Sequence, residues 1–447
     1  MGREKVAVID GGGRGAALVD RYLQSKNVGS VIAVPGNDMM RVGHEKQVEV
    51  FPNIRTIDVK EIVELCKYKG ISLVDVAQDD AVYVGLVDAL QKAHIPVVGP
   101  TRSAGKIEWS KASARAFGER YGLLQPEFHI FYSEDAGISF LKSNQDRPWF
   151  VKANGLCAGK GAKAAENNVE AIERIKQVAQ LDRGSDIFVV EEWLRNDDGT
   201  NGEEFSAFYV SDGEKIKPIG FAQDHKAVNN FDKGDNTGGM GCSAPPLVLT
   251  EEIKTNVSRI CNHTINCLEV EGRRYKGILY FGGMLIQRHG KLEIYTIEFN
   301  SRWGDPEAQV LLPGIKNDLF EIGMAVANGN IRNLEIVEDG KARVVVAGVS
   351  KGYPGDYNEV KGSRIYGLEK AAKMDGIKLY GAGVQVVEGK YYADGGRLFY
   401  VVGEGRNVIE ARKKAYAAMS VVAVEGNNLH YRTDIGGKDV NRLSLRT

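Results

Sequence analysis

The chain lacks most of what would mark a secreted, membrane-bound or nucleic-acid-binding protein. It has five cysteines, Cys66, Cys157, Cys242, Cys261 and Cys267, an odd count with no C-x-x-C spacing. That argues against a disulfide framework or a zinc site. The formal net charge is only −1, so no global field draws in DNA or an anionic membrane, and any phosphate binding must come from local groups. No apolar run is long enough to cross a bilayer. The opening MGREKVAVIDGGG runs straight into a strand, without the cationic stretch and apolar core of a signal peptide. There is no tandem repeat and no low-complexity tract. The expectation is a cytoplasmic protein with reduced thiols, working on small molecules, with no nucleic-acid or membrane partner. Its 447 residues suit roughly two to four domains.

The most informative stretch is YTIEFNSRWGDPE, residues 295–307. Side chains alternate along a strand. Ile297 and Phe299 are therefore expected to face a core, with Thr296, Glu298 and Asn300 on the other side. A carboxylate and an amide oxygen then stand together at a strand end, followed by Arg302, Gly304, Asp305 and Glu307. That pairing suits Mg²⁺, with substrate phosphates and water completing the shell. On its own it could equally be an amphipathic edge strand running into a charged turn.

Taken in order, residues 6–10 form a strand and residues 11–15, GGGRG, a glycine turn before a helix. The turn fits a G-x-G-x-x-A dinucleotide pattern. The next strand, residues 31–34, ends in Pro-Gly-Asn rather than the acidic residue a nicotinamide ribose requires. A structural tight turn or a phosphate site for another ligand remains open there. Alternating strands and helices continue to about residue 100, the pattern of an open parallel α/β layer. Residues 106–121 read as one long helix with Ser110 and Lys111 in its middle. A strand at 149–153, containing Lys152, leads into NGLCAGKG, residues 154–161. This loop is not a P-loop: its spacing is short, and Gly161 stands where Ser or Thr would be. A lysine feeding a glycine loop can still neutralise phosphates while loop amides cover them. A second lobe-to-lobe strand carries EEWL, Glu191 to Leu194, and Glu203-Glu204 open the strand after it. Residues 222–241 are too polar for a core and long for an idle loop, which favours function. From about residue 334 the pattern becomes that of a small α+β unit.

Lys111, Lys152, NGLCAGKG, EEWL, DNTGGMG and EFNSRWGDPE occur in this order, together with GPTRSAGKIEWSK, QDHK, YPGDY, GGR and YRTDIG. On these motifs the chain resembles, nearly end to end, the phosphoribosylamine–glycine ligases (GAR synthetases) of the ATP-grasp fold. The resemblance implies a multidomain α/β and α+β architecture. It has an N-terminal open parallel α/β domain (1–105), an ATP-grasp core (106–125 and 188–333), a lid subdomain (126–187) and a C-terminal α+β cap (334–447). It implies ATP-dependent ligation of glycine to 5-phosphoribosylamine through glycyl phosphate, by a monomer or weak homodimer using Mg²⁺ or Mn²⁺. By the same resemblance Lys111 and Lys152 bind ATP phosphates, and Gly159, Lys160 and Gly161 form the lid loop. Glu191, Glu192, Trp193 and Leu194 hold adenine, Glu204 meets the ribose, and Glu298 and Asn300 ligate the metal. Asp224, Asn236, Arg302 and Asp305 are the candidates around glycine and the acceptor amine, with Arg302 best placed to stabilise the transferring phosphoryl group.

Two departures lie in the N-terminal layer. The family's GGREHA is here Gly12-Gly13-Arg14-Gly15-Ala16-Ala17, and its GPE is Gln78-Asp79-Asp80. The insert NDDGTN, residues 196–201, is a third. They raise one alternative: an ATP-grasp carboxylate–amine ligase with a different acceptor amine.

Overall fold

The computed structural model describes residues 4–157, 161–181 and 187–444. The N-terminal domain is a five-stranded parallel sheet. Its strands lie side by side as Gln47–Val50, Val28–Pro35, Glu4–Asp10, Leu73–Val76 and Val97–Val98. The central parts of the inner strands are mostly apolar because both faces are covered, as parallel sheets require, while the edge strand Gln47–Val50 alternates polar and apolar residues. Val6, Val8, Val31 and Ala33 pack under the helix Gly13–Gln24. Ala7, Ile9, Ile32 and Val34 pack with Ile62, Cys66 and Leu90 on the opposite face. The carboxyl ends of these strands, where open α/β sheets bind ligands, bring Asp10 and Gln78 toward the rest of the molecule.

The single helix expected over 106–121 is two. Lys106–Trp109 stops at Ser110, whose extended backbone (φ −129°, ψ 99°) breaks the run, and Lys111–Arg120 starts afresh. The Ser110 hydroxyl caps the second helix by accepting from the Ser113 N–H at 3.3 Å. Lys111 is thereby placed at a helix start rather than mid-helix.

The lid is a four-stranded antiparallel sheet in the order Phe128–Phe131, Phe188–Glu192, Trp149–Ala153, Ala162–Ala165. The helices Glu134–Ser143 and Asn168–Ala179 cover it. Phe188–Glu192 is hydrogen-bonded to lid strands on both sides, so the lid sheet extends beyond the boundary at 187 that the sequence suggested.

The core and the C-terminal unit share one nine-stranded sheet. Lys291–Asn300, Lys276–Arg288, Glu203–Asp212, Ile216–Asp224 and Gly241–Ala244 lead directly into Ala342–Ser350, Arg397–Gly405 and Ile377–Gly381, and the short Leu429–His430 pairs with the end of Ala342–Ser350 as the ninth. Residues 222–241 are thus partly strand. The short hairpin Ala227–Asn229 with Lys233–Asn236 lies within them.

One parity expectation fails. Gly282 pairs with Glu298 and Gly283 with Thr296, which leaves Ile297 as the extra residue of a β-bulge. Phe299 enters the aromatic core with Phe205 and Phe281. Ile297 instead packs against Leu194, Ile286 and Tyr295. Among the described residues no helix is long and apolar enough to cross a membrane.

Candidate functional site

Below the lid, positive charge converges on Glu298. Burial alone would raise its carboxyl, but Lys226, Lys152, Lys111 and Arg302 outweigh that and bring it down to about 2. Lys226 Nζ lies 3.4 Å from Glu298 and 3.1 Å from Glu204. These two carboxylates hold the Lys226 ammonium well above its ordinary value despite burial. Lys111 stands at the first turn of its helix, where a cation opposes the helix dipole. Its N–H donates to the Asn154 carbonyl at 3.0 Å and its Nζ to the Gly155 carbonyl at 3.3 Å. An incoming anion would satisfy both the lysine and the helix end.

Lys152, 8% exposed, pairs with the buried Glu191. Arg115 holds the other oxygen of Glu191 at 2.7 Å and donates to the carbonyls of Thr296 and Ile297 at 3.0 and 2.9 Å. This chain of contacts ties a lid strand, a core helix and the Glu298 strand together. Desolvation lowers the Lys152 ammonium. Arg115 and Lys152 keep the Glu191 carboxyl below its ordinary range against desolvation. Glu191 therefore turns inward. Glu192 pairs with Arg288, Trp193 meets Phe150 edge-on at 5.3 Å, and Leu194 is buried beside Ile286. The amides of Glu192 and Trp193 already donate to the carbonyls of Glu127 and Pro148.

Asn300 is buried and its Oδ1 accepts from Arg302 at 3.1 Å. Arg302 Nε lies 3.1 Å from Glu108, whose second oxygen accepts from the Ser301 N–H at 2.7 Å. Burial pushes Glu108 up to about 7, with Arg302 limiting the rise. Arg115, Glu108 and Lys226 were not singled out from the sequence. Arg115 lies four residues past Lys111, on the same helix face, and Lys226 closes the QDHK motif. Those were the available signals.

A second, acidic group lies beyond Lys226. Asp224 accepts from the His225 N–H at 2.7 Å. Burial and the nearby Glu307 push its carboxyl well above the ordinary range. Glu307 accepts from Ser206 at 3.1 Å, and the Tyr280 hydroxyl lies 2.8 Å from Ser206 Oγ. Asp224, Lys226, Glu204, Ser206, Tyr280 and Ile297 line one small pocket. Asp305 stands apart from the lysines. It pairs with Arg397 at 2.8 Å and accepts from Gln309 at 2.6 Å. Asn236 pairs with Ala227 in the short hairpin. Gly159 and Lys160 lie outside the described residues. Gly161 is described, and a Cβ there would sit 2.8 Å from Cys157.

The N-terminal glycine turn is closed by the chain's own anion. One Asp10 oxygen accepts from the Gly12 and Gly15 N–H groups, and the other from Arg14 Nε at 2.6 Å. A Cβ at Gly15 would fall 2.8 Å from Asp10 Cβ. The structural-turn reading accounts for these glycines.

Among the described residues no three His, Cys, Asp or Glu gather as a metal cage. An ionised Glu298 beside the Asn300 amide oxygen nevertheless fits a hard divalent cation that takes its remaining ligands from phosphates and water.

Three comparisons bear on this geometry. The profiles of the phosphoribosylglycinamide synthetase N, ATP-grasp (A) and C domains match residues 4–108, 109–308 and 343–438. A phosphoribosylamine–glycine ligase of Haemophilus influenzae is 34% identical over 442 residues, 98% of this chain and 99% of that protein. The crystal structure of a phosphoribosylamine–glycine ligase from Thermotoga maritima superposes with a TM-score of 0.78 at 26% identity, covering 96% of this chain and 99% of that one. The biotin carboxylase domain of Hydrogenobacter thermophilus 2-oxoglutarate carboxylase, crystallised with ADP and magnesium, reaches a TM-score of 0.70 over 95% of this chain and 91% of that one. At 15% identity that likeness speaks for the fold alone.

Proposed function

The chain belongs to the phosphoribosylglycinamide synthetase family, and from that premise we propose how its cleft carries out the reaction. The activity is that of an ATP-dependent carbon–nitrogen ligase of purine biosynthesis. It joins glycine to 5-phosphoribosylamine, giving glycinamide ribonucleotide, ADP and phosphate. We assign the chemistry to two steps. A glycine carboxylate oxygen attacks the γ-phosphorus of ATP, ADP leaves, and glycyl phosphate forms. The amine nitrogen of phosphoribosylamine then attacks the carbonyl carbon and loses a proton to solvent as the C–O bond to phosphate breaks. A free carboxylate is too poor an electrophile for the second step alone.

Phosphoryl transfer asks mainly for positioning and charge compensation. In this reading Lys111 and Lys152 hold the ATP phosphates. Arg302 meets the charge on the transferring group, and Glu204 the ribose. Residues 191–194 border adenine through their backbone and Leu194, since the carboxylates of Glu191 and Glu192 are engaged elsewhere. Glu298 and Asn300 would hold the divalent cation, Mg²⁺ or Mn²⁺, which supplies charge neutralisation across the phosphates. Asp224 and Asn236 belong to the glycine end, and Asp305 to the corner shared with the N-terminal domain. The lid, 126–187 extended by its last strand, excludes water that would hydrolyse an acyl phosphate. A cytoplasmic location is part of the proposal, supported by five cysteines none of which is joined in a disulfide, as is a monomer or weak dimer.

One observation carries the assignment: four cations converge on a single half-buried carboxylate and hold it at about 2, which leaves positive charge to spare for a polyphosphate. The test is isotopic. With glycine labelled with ¹⁸O in its carboxylate, the released phosphate should acquire one label per turnover, read by the ³¹P NMR isotope shift. Unlabelled phosphate would remove glycyl phosphate from the mechanism. Glu298→Ala should cut turnover by about 100-fold or more, and unchanged turnover would remove the cation site.

A further inference from the structure

The motif YRTDIG, residues 431–436, has so far no part in the chemistry. Its Arg432 is 1% exposed, although a guanidinium is among the least readily buried groups. It donates to the Ala227 carbonyl and to Asp232 Oδ1, each at 3.0 Å, and to both oxygens of Asp434 at 2.8 and 2.7 Å. A terminal nitrogen of Arg432 lies 3.4 Å from His225 Nδ1, and the Gly436 N–H reaches His225 Nε2 at 3.4 Å. His225 is 2% exposed, and burial together with the Arg432 charge holds its imidazole below the ordinary range. A neutral imidazole accepts at one nitrogen only, so the ring meets either Arg432 with Nδ1 or Gly436 with Nε2, and Asp232 Oδ1 lies 3.8 Å from Nδ1.

His225 sits between Asp224 and Lys226, which both line the pocket below the lid. Its own ring faces the other way, into residues 432–436. The backbone of this stretch is pinned too: the His225 N–H donates to the Gly241 carbonyl and its carbonyl accepts from the Met240 N–H, both at 2.9 Å. The same C-terminal strap grips the adjoining hairpin. Asn230 bonds Thr433 at 2.7 Å, the Phe231 N–H bonds Asp434 at 2.8 Å, and His430 meets the Val228 carbonyl at 2.9 Å. A turn of residue 225 about the backbone would swing both flanking side chains in the pocket.

We infer that Arg432 is a positioning residue for the ligation, acting through His225 to aim Asp224 and Lys226 at glycine from behind. This rests on Asp224 lying at the glycine end of the cleft. Lys111 and Lys152 sit on other elements, and Lys226 stays anchored on the cleft side by Glu204 and Glu298, so the effect falls on Asp224 and glycine more than on ATP. Arg432→Lys keeps the charge and loses the planar fork.

The experiment measures, for Arg432→Lys, His225→Ala and their double variant, KM and kcat for glycine, the Kd of an ATP analogue and Tm. The expected result for Arg432→Lys is a fall of about tenfold or more in kcat/KM for glycine, with the analogue's Kd within about threefold and most of the loss seen in the glycine KM. His225→Ala should lose a similar factor, and the double variant should be little worse than either single one, because both act through one contact. Additive losses, or an unchanged glycine KM with only Tm lowered, would overturn the inference. If Arg432→Lys does not fold, His225→Ala against His225→Asn decides, since Asn keeps an acceptor for Arg432 and should recover part of the loss; equal kinetics in the two would also overturn it. The ¹⁸O label separates this result from the reaction scheme. Labelled phosphate from a slow variant leaves glycyl phosphate standing, whereas unlabelled phosphate from the unaltered enzyme removes the scheme itself.

Discussion

Arg302 can serve a transferring phosphoryl group only while something holds its fork in place, and Glu108 does so from the short helix Lys106–Trp109. The Glu108 carboxyl, raised to about 7 by burial, is half protonated near neutrality. A carboxylate with a raised folded pKa contributes stability in its protonated form. That contribution is complete below the unfolded value near 4.5 and is lost as pH rises through about 7. Catalysis follows the opposite sense, because the ionised form is the one that pairs with Arg302. Turnover should therefore rise across pH 6 to about 8 with an apparent pKa near 7. Glu108→Gln should flatten that limb, lower the plateau rate, and leave the enzyme less sensitive to pH in its melting temperature over the same range. An unchanged limb in the variant would assign the titration to another group. Glu298 works the other way: held at about 2, it is ionised throughout this range and adds no limb of its own.

Among the elements, the helix break at Ser110 does the most for the site. Without it Lys111 would sit in a helix interior. With it, Lys111 begins a helix next to the loop that starts at Asn154. Ser110→Ala removes the cap and should destabilise the protein by about 1 kcal/mol. It should also raise the KM for ATP more than that for glycine, as initial-rate measurements against each substrate will show. The break was not legible beforehand, because KIEWSKASARAFGER has no proline or glycine between Trp109 and Phe117 to interrupt a helical reading. Serine is compatible with either state, and its contact with Asn154 comes from a distant part of the chain. The Ile297 bulge escaped for a related reason. Strict alternation put Glu298 and Asn300 on one side, and Phe299 did enter the core. Alternation says nothing about where a partner strand skips a residue, here between Gly282 and Gly283. The parallel α/β layer was readable because its apolar runs and intervening helices are local features. The pairings of Glu108, Arg115 and Lys226 were not, because each joins segments far apart in sequence.

At the scale of the whole molecule, the continuous nine-stranded sheet makes the core and the C-terminal unit one platform, while the lid has a sheet of its own. What links lid to platform is the buried chain Lys152–Glu191–Arg115, with Arg115 reaching the carbonyls beside Glu298. Two cations share one carboxylate there, so Glu191 is the main compensation for both. Glu191→Gln keeps the shape, removes the charge and leaves two buried cations facing each other. Breaking such a pair typically costs about 3–5 kcal/mol. The denaturation midpoint should fall accordingly, because the unfolded chain solvates both cations freely. Polyphosphate supplies the missing negative charge, so saturating ATP with a divalent cation should return part of the loss. Hydrogen exchange would localise the effect. In the variant without nucleotide, amides of the lid strands Trp149–Ala153 and Phe188–Glu192 should exchange faster, while those of Glu4–Asp10 and Leu73–Val76 keep their protection. With nucleotide bound, the lid amides should slow again. Equal loosening of the N-terminal sheet would mean that Glu191 supports the fold at large, and no recovery with nucleotide would mean that the triphosphate does not lie against Lys152.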